Sequence, residues 1–147
     1  MKRKFTFLSV ILFLFTFQAC KKKSVDCAWN GIFGTYSVTN TSCSLSNGAN
    51  SVCPPNGSYV LTVVRSSTCD TISVQNTGNL GVTTTAYYGG TVNENIEFAV
   101  PGQVFIYKGQ SYAIEPTACQ VQFNGTSFTM NLQTTHSGVI YMKGTKQ

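Results

Sequence analysis

Charged residues are scarce in this sequence, and histidine is almost absent. Charged side chains make up 10% of the 147 residues, against a typical share of about 25%. After Lys23 the chain carries four basic and five acidic residues, which leaves that part with a net charge of −1. A nucleic-acid-binding domain needs a basic stripe on its folded surface, and this composition excludes one.

The residue patterns of metal, phosphate and catalytic sites are also missing. No two cysteines have the C-x-x-C spacing of a zinc site, and His136 is the single histidine. His136 lies in the polar stretch "QTTHSG", where a solvated side chain is expected rather than a general base. No glycine-rich loop precedes a helical pattern, and the acidic residues are dispersed. These absences predict a protein without catalytic activity, bound metal or cofactor.

Residues 1–19 have the pattern of a bacterial export signal. Lys2, Arg3 and Lys4 form a positive start, and an apolar run of thirteen residues follows from Phe5 to Phe17. A transmembrane helix needs about 20 apolar residues. The shorter run predicts a cleaved signal peptide, with an uncleaved anchor and plain secretion as the alternatives.

A cysteine follows this apolar segment closely. The pair Ala19-Cys20 resembles the lipobox of bacterial lipoproteins, in which the cysteine is acylated, by palmitate for example, and becomes the first mature residue. Residues 20–32 then form the lipidated cysteine and a tether. The basic run Lys21–Lys23 would add about 1 kcal/mol per lysine near an anionic leaflet. Because Lys21 is not aspartate, the resemblance implies the outer rather than the inner membrane, on either face.

Five cysteines remain for disulfides, and an exported protein folds where disulfides form. An odd number leaves at least one thiol free or bonded to another chain. Cys43 and Cys53 lie in one loop with turn-forming residues between them, which predicts a bond between the two. Counting strand directions predicts that Cys27, Cys69 and Cys119 cluster at one end of the fold. A Cys27–Cys69 bond is the preferred pairing.

The remainder of the chain alternates apolar and polar residues, as half-buried strands do, and no window has a useful helical period. Predicted strands are Phe33–Asn40, Ser58–Arg65, Asp70–Asn76, Val82–Tyr88, Asn95–Val100, Cys119–Phe123, Thr126–Gln133 and Val139–Lys143. The stretches "VFIY" and "SYAIE" predict a further short hairpin, and Gly89-Gly90 and Asn124-Gly125 predict turns. Eight or nine such strands predict an all-β, antiparallel up-and-down barrel, with an open sandwich as the alternative.

Large side chains dominate the face of these strands that is expected to point inward. They are Tyr36, Tyr59, Leu61, Ile72, Val74, Ile96, Phe98, Phe123, Phe128, Met130 and Leu132. The interior of an eight-stranded barrel is just wide enough for its own side chains or for one small ligand. So many large residues favour a filled interior.

The succession "GTYSVT", a cysteine-containing loop, "YVLTVV", "ISVQNTG", an Asn-Gly hairpin and "YMKG" resembles small lipocalin-like lipoproteins of Gram-negative bacteria. The resemblance implies a calycin-type barrel over residues 33–147 and no catalytic residues. Two functions stay open. In one, the barrel binds an envelope protein through its loops; in the other, it carries a small apolar ligand inside. Candidate contact residues are Tyr107, Tyr112 and Trp29.

Two further features bear on recognition. Tyr87 and Tyr88 are adjacent in a strand, so one of them must point outward, where it could offer a platform to a sugar or a protein. The cysteine-bearing loop Thr41–Gly57 and the "YKGQSY" hairpin are predicted to lie at the same end of the barrel.

Overall fold

A computed structural model describes residues 29–135 and 138–147 as an all-β structure with one 3-10 turn at its start. In chain order the strands are β1 (Gly34–Cys43), β2 (Ser46–Asn47), β3 (Asn50–Ser51), β4 (Ser58–Arg65), β5 (Thr71–Thr77), β6 (Val82–Val92), β7 (Asn95–Ala99), β8 (Val104–Tyr107), β9 (Gln110–Ala113), β10 (Gln120–Asn124), β11 (Ser127–Thr134) and β12 (Gly138–Lys146). Eight of them close into an antiparallel barrel in the order β1-β12-β11-β10-β7-β6-β5-β4. The predicted fold class is confirmed.

The barrel has two ends that the chain visits in alternation. We call the end where β1 begins, at Gly34, the lower end, and the end where β1 finishes, at Cys43, the upper end. The turns that follow β4, β6 and β10 lie at the lower end, since successive barrel strands are antiparallel. The β2–β3 and β8–β9 hairpins are inserted at the upper end and form separate two-stranded sheets.

The prediction of a turn at Gly89-Gly90 is wrong. Strand β6 continues beyond Tyr88, with a shift in its register against β7 that marks a bulge at the two glycines. The turn lies instead at Asn93 and Glu94, which both have positive φ, 48° and 67°. A two-residue turn with positive φ at both positions matches the twist of a hairpin, and asparagine adopts that conformation more easily than most residues.

Side chains fill the barrel interior. The Phe123 ring is central: its centroid lies 5.8 Å from that of Tyr36, 5.9 Å from that of Phe98 and 5.5 Å from that of Phe128. These separations are those of aromatic pairs in direct contact. Nine of the eleven predicted interior residues are buried, and Tyr59 and Ile96 are partly buried against the same core.

Both ends of the barrel are covered by apolar side chains. At the lower end the 3-10 turn Asn30–Ile32 leaves Ile32 only 3% exposed, and the Tyr36 hydroxyl donates a hydrogen bond to its carbonyl oxygen at 2.7 Å. At the upper end Leu45, from the loop after β1, is 1% exposed, and Leu80, from the turn after β5, is 7% exposed. Apolar side chains therefore occupy the interior at both ends as well as at its centre.

The structure confirms the predicted bond between Cys43 and Cys53, whose Cα atoms are 5.8 Å apart. Cys69 also takes part in a disulfide. Its predicted partner, Cys27, lies outside the described residues, so that pairing stays a prediction. The signal segment, residues 1–19, and Cys20 lie outside them as well.

The prediction that Cys119 lies at the same end as Cys69 is wrong. Cys69 is in the lower turn between β4 and β5, whereas Cys119 directly precedes β10 at the upper end, where it is a free thiol and 4% exposed. The reason is the direction of β10. This strand runs down to the Asn124-Gly125 turn, which lies at the lower end, so it must begin at the upper end.

Candidate functional site

The two hairpins inserted at the upper end are in contact with each other. The Tyr112 hydroxyl of β9 donates a hydrogen bond to the Ser46 carbonyl oxygen of β2 at 3.4 Å. The Cys43–Cys53 disulfide closes the loop that carries β2 and β3. The prediction that the cysteine-bearing loop and the hairpin share one end is confirmed. Together they form a continuous surface, which we call the upper surface.

A tight turn shapes the β8–β9 hairpin. Lys108 and Gly109 connect the strands, and both have positive φ, 50° and 78°. Such two-residue turns have the twist that antiparallel strands need. The hairpin is tied to the barrel through β9, because Ile114 bridges to Thr134 and the Thr135 amide donates to the Ala113 carbonyl oxygen at 2.9 Å. Strand β8 is therefore the outer edge.

The two faces of β8 have opposite environments. Phe105 points toward the barrel, where it stacks on Tyr112 with ring centroids 5.2 Å apart; these residues are 7% and 1% exposed. Val104 and Ile106 point outward and are 66% and 68% exposed. Among the described residues, they are the most exposed large hydrophobic side chains. The inner face thus fixes the hairpin, and the outer face is available for contact.

The backbone of β8 is also available along its outer edge. Tyr107 pairs with Gln110 across the two-residue turn, so this pair is hydrogen-bonded. Hydrogen-bonded and non-hydrogen-bonded pairs alternate, and Phe105 is therefore bonded to β9 as well. Val104 and Ile106 direct their N–H and C=O groups away from β9. Within the described chain β8 pairs with β9 alone, so these groups form an open edge.

The structure separates the three predicted contact residues. Tyr107 is half-buried, with the Lys108 ammonium group 5.3 Å from its ring centroid. Tyr112 is buried, so that it holds the hairpin rather than presenting a surface. Trp29 lies at the lower end, where its ring stacks on that of Tyr88 at 4.1 Å. The upper surface therefore includes Tyr107 but not Trp29.

Val104 and Ile106 are not among the contact residues predicted from the sequence. In "VFIY" every residue is apolar, so alternation alone could not tell which pair faces outward. A signal was present in the turn, because Lys108-Gly109 defines which pairs are hydrogen-bonded. The inward face depends on Phe105 stacking with Tyr112, a tertiary contact that the sequence does not reveal.

The described residues of the upper end include one free thiol, that of Cys119, and its surroundings do not favour nucleophilic chemistry. The Cys119 Sγ accepts a hydrogen bond from the Gln133 amide at 3.0 Å, and burial raises the pKa of this thiol, which disfavours the reactive thiolate. In residues 29–135 and 138–147, no three His, Cys, Asp or Glu side chains are grouped to hold a metal ion. The candidate base His136 lies outside those residues.

No helix in the described part of the chain is both long enough and apolar enough to cross a bilayer. Comparison of the chain with protein-family models, with curated proteins and with solved structures returns no match.

Proposed function

We propose that this protein is a lipid-anchored envelope protein whose lipocalin-like barrel binds another envelope protein through the upper surface and catalyses no reaction. The observation that carries the proposal is the open edge of β8, where Val104 and Ile106 combine exposed apolar side chains with unpaired backbone groups. An exposed, apolar edge strand is a site at which another strand can add.

The anchor would be formed at Cys20. A signal-like segment precedes this cysteine and three lysines follow it, which supports acylation there. Buried acyl chains contribute about 0.8 kcal/mol per methylene. From Cys20 the chain enters the barrel at the lower end through Trp29. Nine residues span at most roughly 30 Å, so the lower end would stay near the membrane and the upper surface would face away from it.

The geometry of the edge indicates the kind of partner. Each of Val104 and Ile106 offers one N–H and one C=O group in the plane of the β8–β9 sheet. An extended segment of the partner can pair with them, and its apolar residues can pack against the two exposed side chains. Because Lys108 is the single charged residue of the hairpin, backbone pairing and apolar contact would supply most of the affinity.

The packed interior supports this proposal over the alternative of a carrier for a small apolar ligand. A carrier needs an interior cavity, and pockets for ligands of drug size have volumes of about 300–1,000 Å³. Here the contacts among Tyr36, Phe98, Phe123 and Phe128 occupy the centre of the barrel. The surface of the molecule is then the part that remains for recognition.

The proposal is tested by site-specific photocrosslinking in living bacteria. A photoreactive amino acid at Ile106 should yield one discrete crosslinked protein, and the same amino acid at Gln75, exposed on the wall of β5, should not. With the crosslinker at Ile106, Val104→Lys should abolish the product, while the melting temperature stays unchanged because Val104 is 66% exposed. Identical patterns from both positions would remove the proposal.

A second measurement tests the anchor. Cells grown with radiolabelled palmitate should label the wild-type protein, which should fractionate with membranes, whereas Cys20→Ser should take up no label. Equal labelling of the two proteins would exclude acylation at Cys20.

A further inference from the structure

A cleft opens on the outer wall of the barrel, and its lining includes no residue of the β2–β3 or β8–β9 hairpins. It has a volume of about 300 Å³ and lies between the bulge of β6, the strands β7 and β10, and the segment 116–119 that leads into β10. Residues around it include Gly89, Glu97, Ala99, Thr117, Ala118 and Gln120. Its volume is at the lower limit for small-molecule sites, about 300–1,000 Å³.

Small residues keep the cleft open, and hydrogen bonds fix its wall. Gly89 and Ala99 leave the backbone of β6 and β7 accessible. On the opposite side the Thr117 hydroxyl donates to the Glu115 carboxylate at 2.9 Å. The Ala118 carbonyl oxygen accepts a hydrogen bond from the Asn131 side-chain amide, also at 2.9 Å. The cleft is therefore formed in advance of any ligand.

A carboxylate with spare acceptor capacity lies in this cleft. Glu97 accepts one hydrogen bond at each oxygen, at 2.9 Å from the Gln120 amide and at 2.8 Å from the Gln122 amide. These bonds orient the carboxylate, yet a carboxylate has about four acceptor positions. In the part of the chain that the structure describes, Glu97 is the only charged residue that lines the cleft. The site therefore favours donors such as hydroxyl groups and disfavours anions.

An exposed aromatic ring stands beside the cleft. Tyr87 is 49% exposed and lies opposite Ala99 in the register between β6 and β7. The next residue, Tyr88, instead turns inward and packs against Trp29 and Phe98. Tyr87 is thus the tyrosine of the pair that points outward, with a hydroxyl-bearing ring whose face can cover an apolar ligand surface.

We propose that this cleft binds a neutral saccharide. The hydroxyl groups of a sugar would donate to the Glu97 carboxylate and to the Thr117 hydroxyl oxygen, whose own proton is held by Glu115, and the apolar face of the ring would lie against Tyr87. Phosphate or carboxylate groups are disfavoured by Glu97, and no lysine or arginine among the described lining residues offsets its charge. The inference is independent of the protein partner proposed for the upper surface, because the two sites share no residue.

Saturation-transfer NMR on the full chain, with cellobiose and diacetylchitobiose as probes, tests the proposal. At least one disaccharide should bind to the wild type. Gly89→Leu should abolish binding by filling the cleft. A Cβ at this position has no neighbour closer than 3.7 Å, and a melting temperature equal to that of the wild type checks that the variant keeps the fold.

Two tyrosine variants provide a matched comparison. Tyr87→Ala should weaken binding about fivefold, and Tyr141→Ala, which removes an exposed ring from β12, should leave binding unchanged. Failure of both sugars to bind, or undiminished binding to Gly89→Leu, would overturn the proposal. Equal losses in the two tyrosine variants would also overturn it.

Discussion

Tyr36 shows how one polar atom is accommodated inside the filled barrel. Its side chain is fully buried, and its hydroxyl donates to the Ile32 carbonyl oxygen at 2.7 Å. Tyr36→Phe would leave that carbonyl group without its partner. We expect a loss of about 1–2 kcal/mol in the free energy of unfolding, measured by urea denaturation. An unchanged free energy of unfolding would show that this hydrogen bond does not stabilise the folded protein.

Burial of tyrosines also predicts sensitivity to alkali. Burial raises the pKa of Tyr36 from 10.0 to about 12, and it raises the pKa of Tyr59 as well. Below pH 10 both the folded and the unfolded chain hold these protons. Above it the unfolded chain ionises first, so stability falls as the pH rises toward 12. The urea midpoint should therefore drop between about pH 10 and about pH 12, and by less in Tyr36→Phe; an equal drop in both proteins would contradict this reasoning.

Gly144 is a position where the barrel has no room for a side chain. A Cβ there would overlap the Ser37 carbonyl oxygen of the neighbouring strand. We expect Gly144→Ala to lower the free energy of unfolding by about 1–3 kcal/mol, the usual cost of overpacking. Gly31→Ala is the matched control, because a Cβ at Gly31 meets nothing within 4 Å. Equal stability of the two variants would disprove the close approach of β12 to β1.

At the scale of single residues, most of the core could be predicted from the sequence. Alternation with period two places residues such as Leu61 and Phe128 on one face, and burial then follows from closure of the sheet. Gly144 could not be recognised in this way, since its requirement comes from contact with a strand 107 positions earlier in the chain.

At the scale of elements, the loop after β1 combines a disulfide with a core residue. Cys43 and Cys53 are bonded with a sequence separation of 10, and Leu45 between them is buried. The chain-entropy model predicts that Cys43→Ser with Cys53→Ser lowers stability by about 2.5–3 kcal/mol. Thermal denaturation of the double variant tests this value. A change below about 0.5 kcal/mol would mean that packing of Leu45, rather than the bond, holds the loop.

The strands themselves could be predicted, but several of their ends could not. Short-range signals such as Asn124-Gly125 identify a hairpin because the turn geometry requires those residue types. Gly89-Gly90 gives a similar signal, but these two glycines form a bulge instead of a turn, and β6 continues to Val92. The choice between turn and bulge depends on which register buries Phe98, a long-range effect that a local motif cannot encode.

The candidate sites also depend on long-range contacts, so only part of them could be predicted from the sequence. The cysteine-bearing loop could be assigned to the upper end from strand counting, and the β8–β9 hairpin likewise. The open edge of β8 and the wall cleft could not be predicted, because both depend on segments outside the barrel ladder. The open edge of β8 depends on the contact of β9 with the end of β11. The wall cleft depends on the path of residues 116–119 beside β7 and β10.

For the whole molecule, closure of the barrel bears on the proposed function. Aromatic rings fill the centre, Ile32 covers the lower end, and Leu45 and Leu80 cover the upper end. An eight-stranded barrel has room for its own side chains or for one small ligand, and here the side chains occupy it. Under the functions proposed above, recognition would use the surface, namely the edge of β8 and the cleft beside Tyr87.

Titration with a fluorescent fatty acid tests this central claim most directly. The experiment uses the chain with Cys20→Ser, which removes the proposed acylation site. A filled barrel predicts no saturable binding and no blue shift of the probe, because the space around Phe123 is occupied. Saturable binding of one probe per chain, with the emission of a buried dye, would contradict the filled interior and make the protein a carrier.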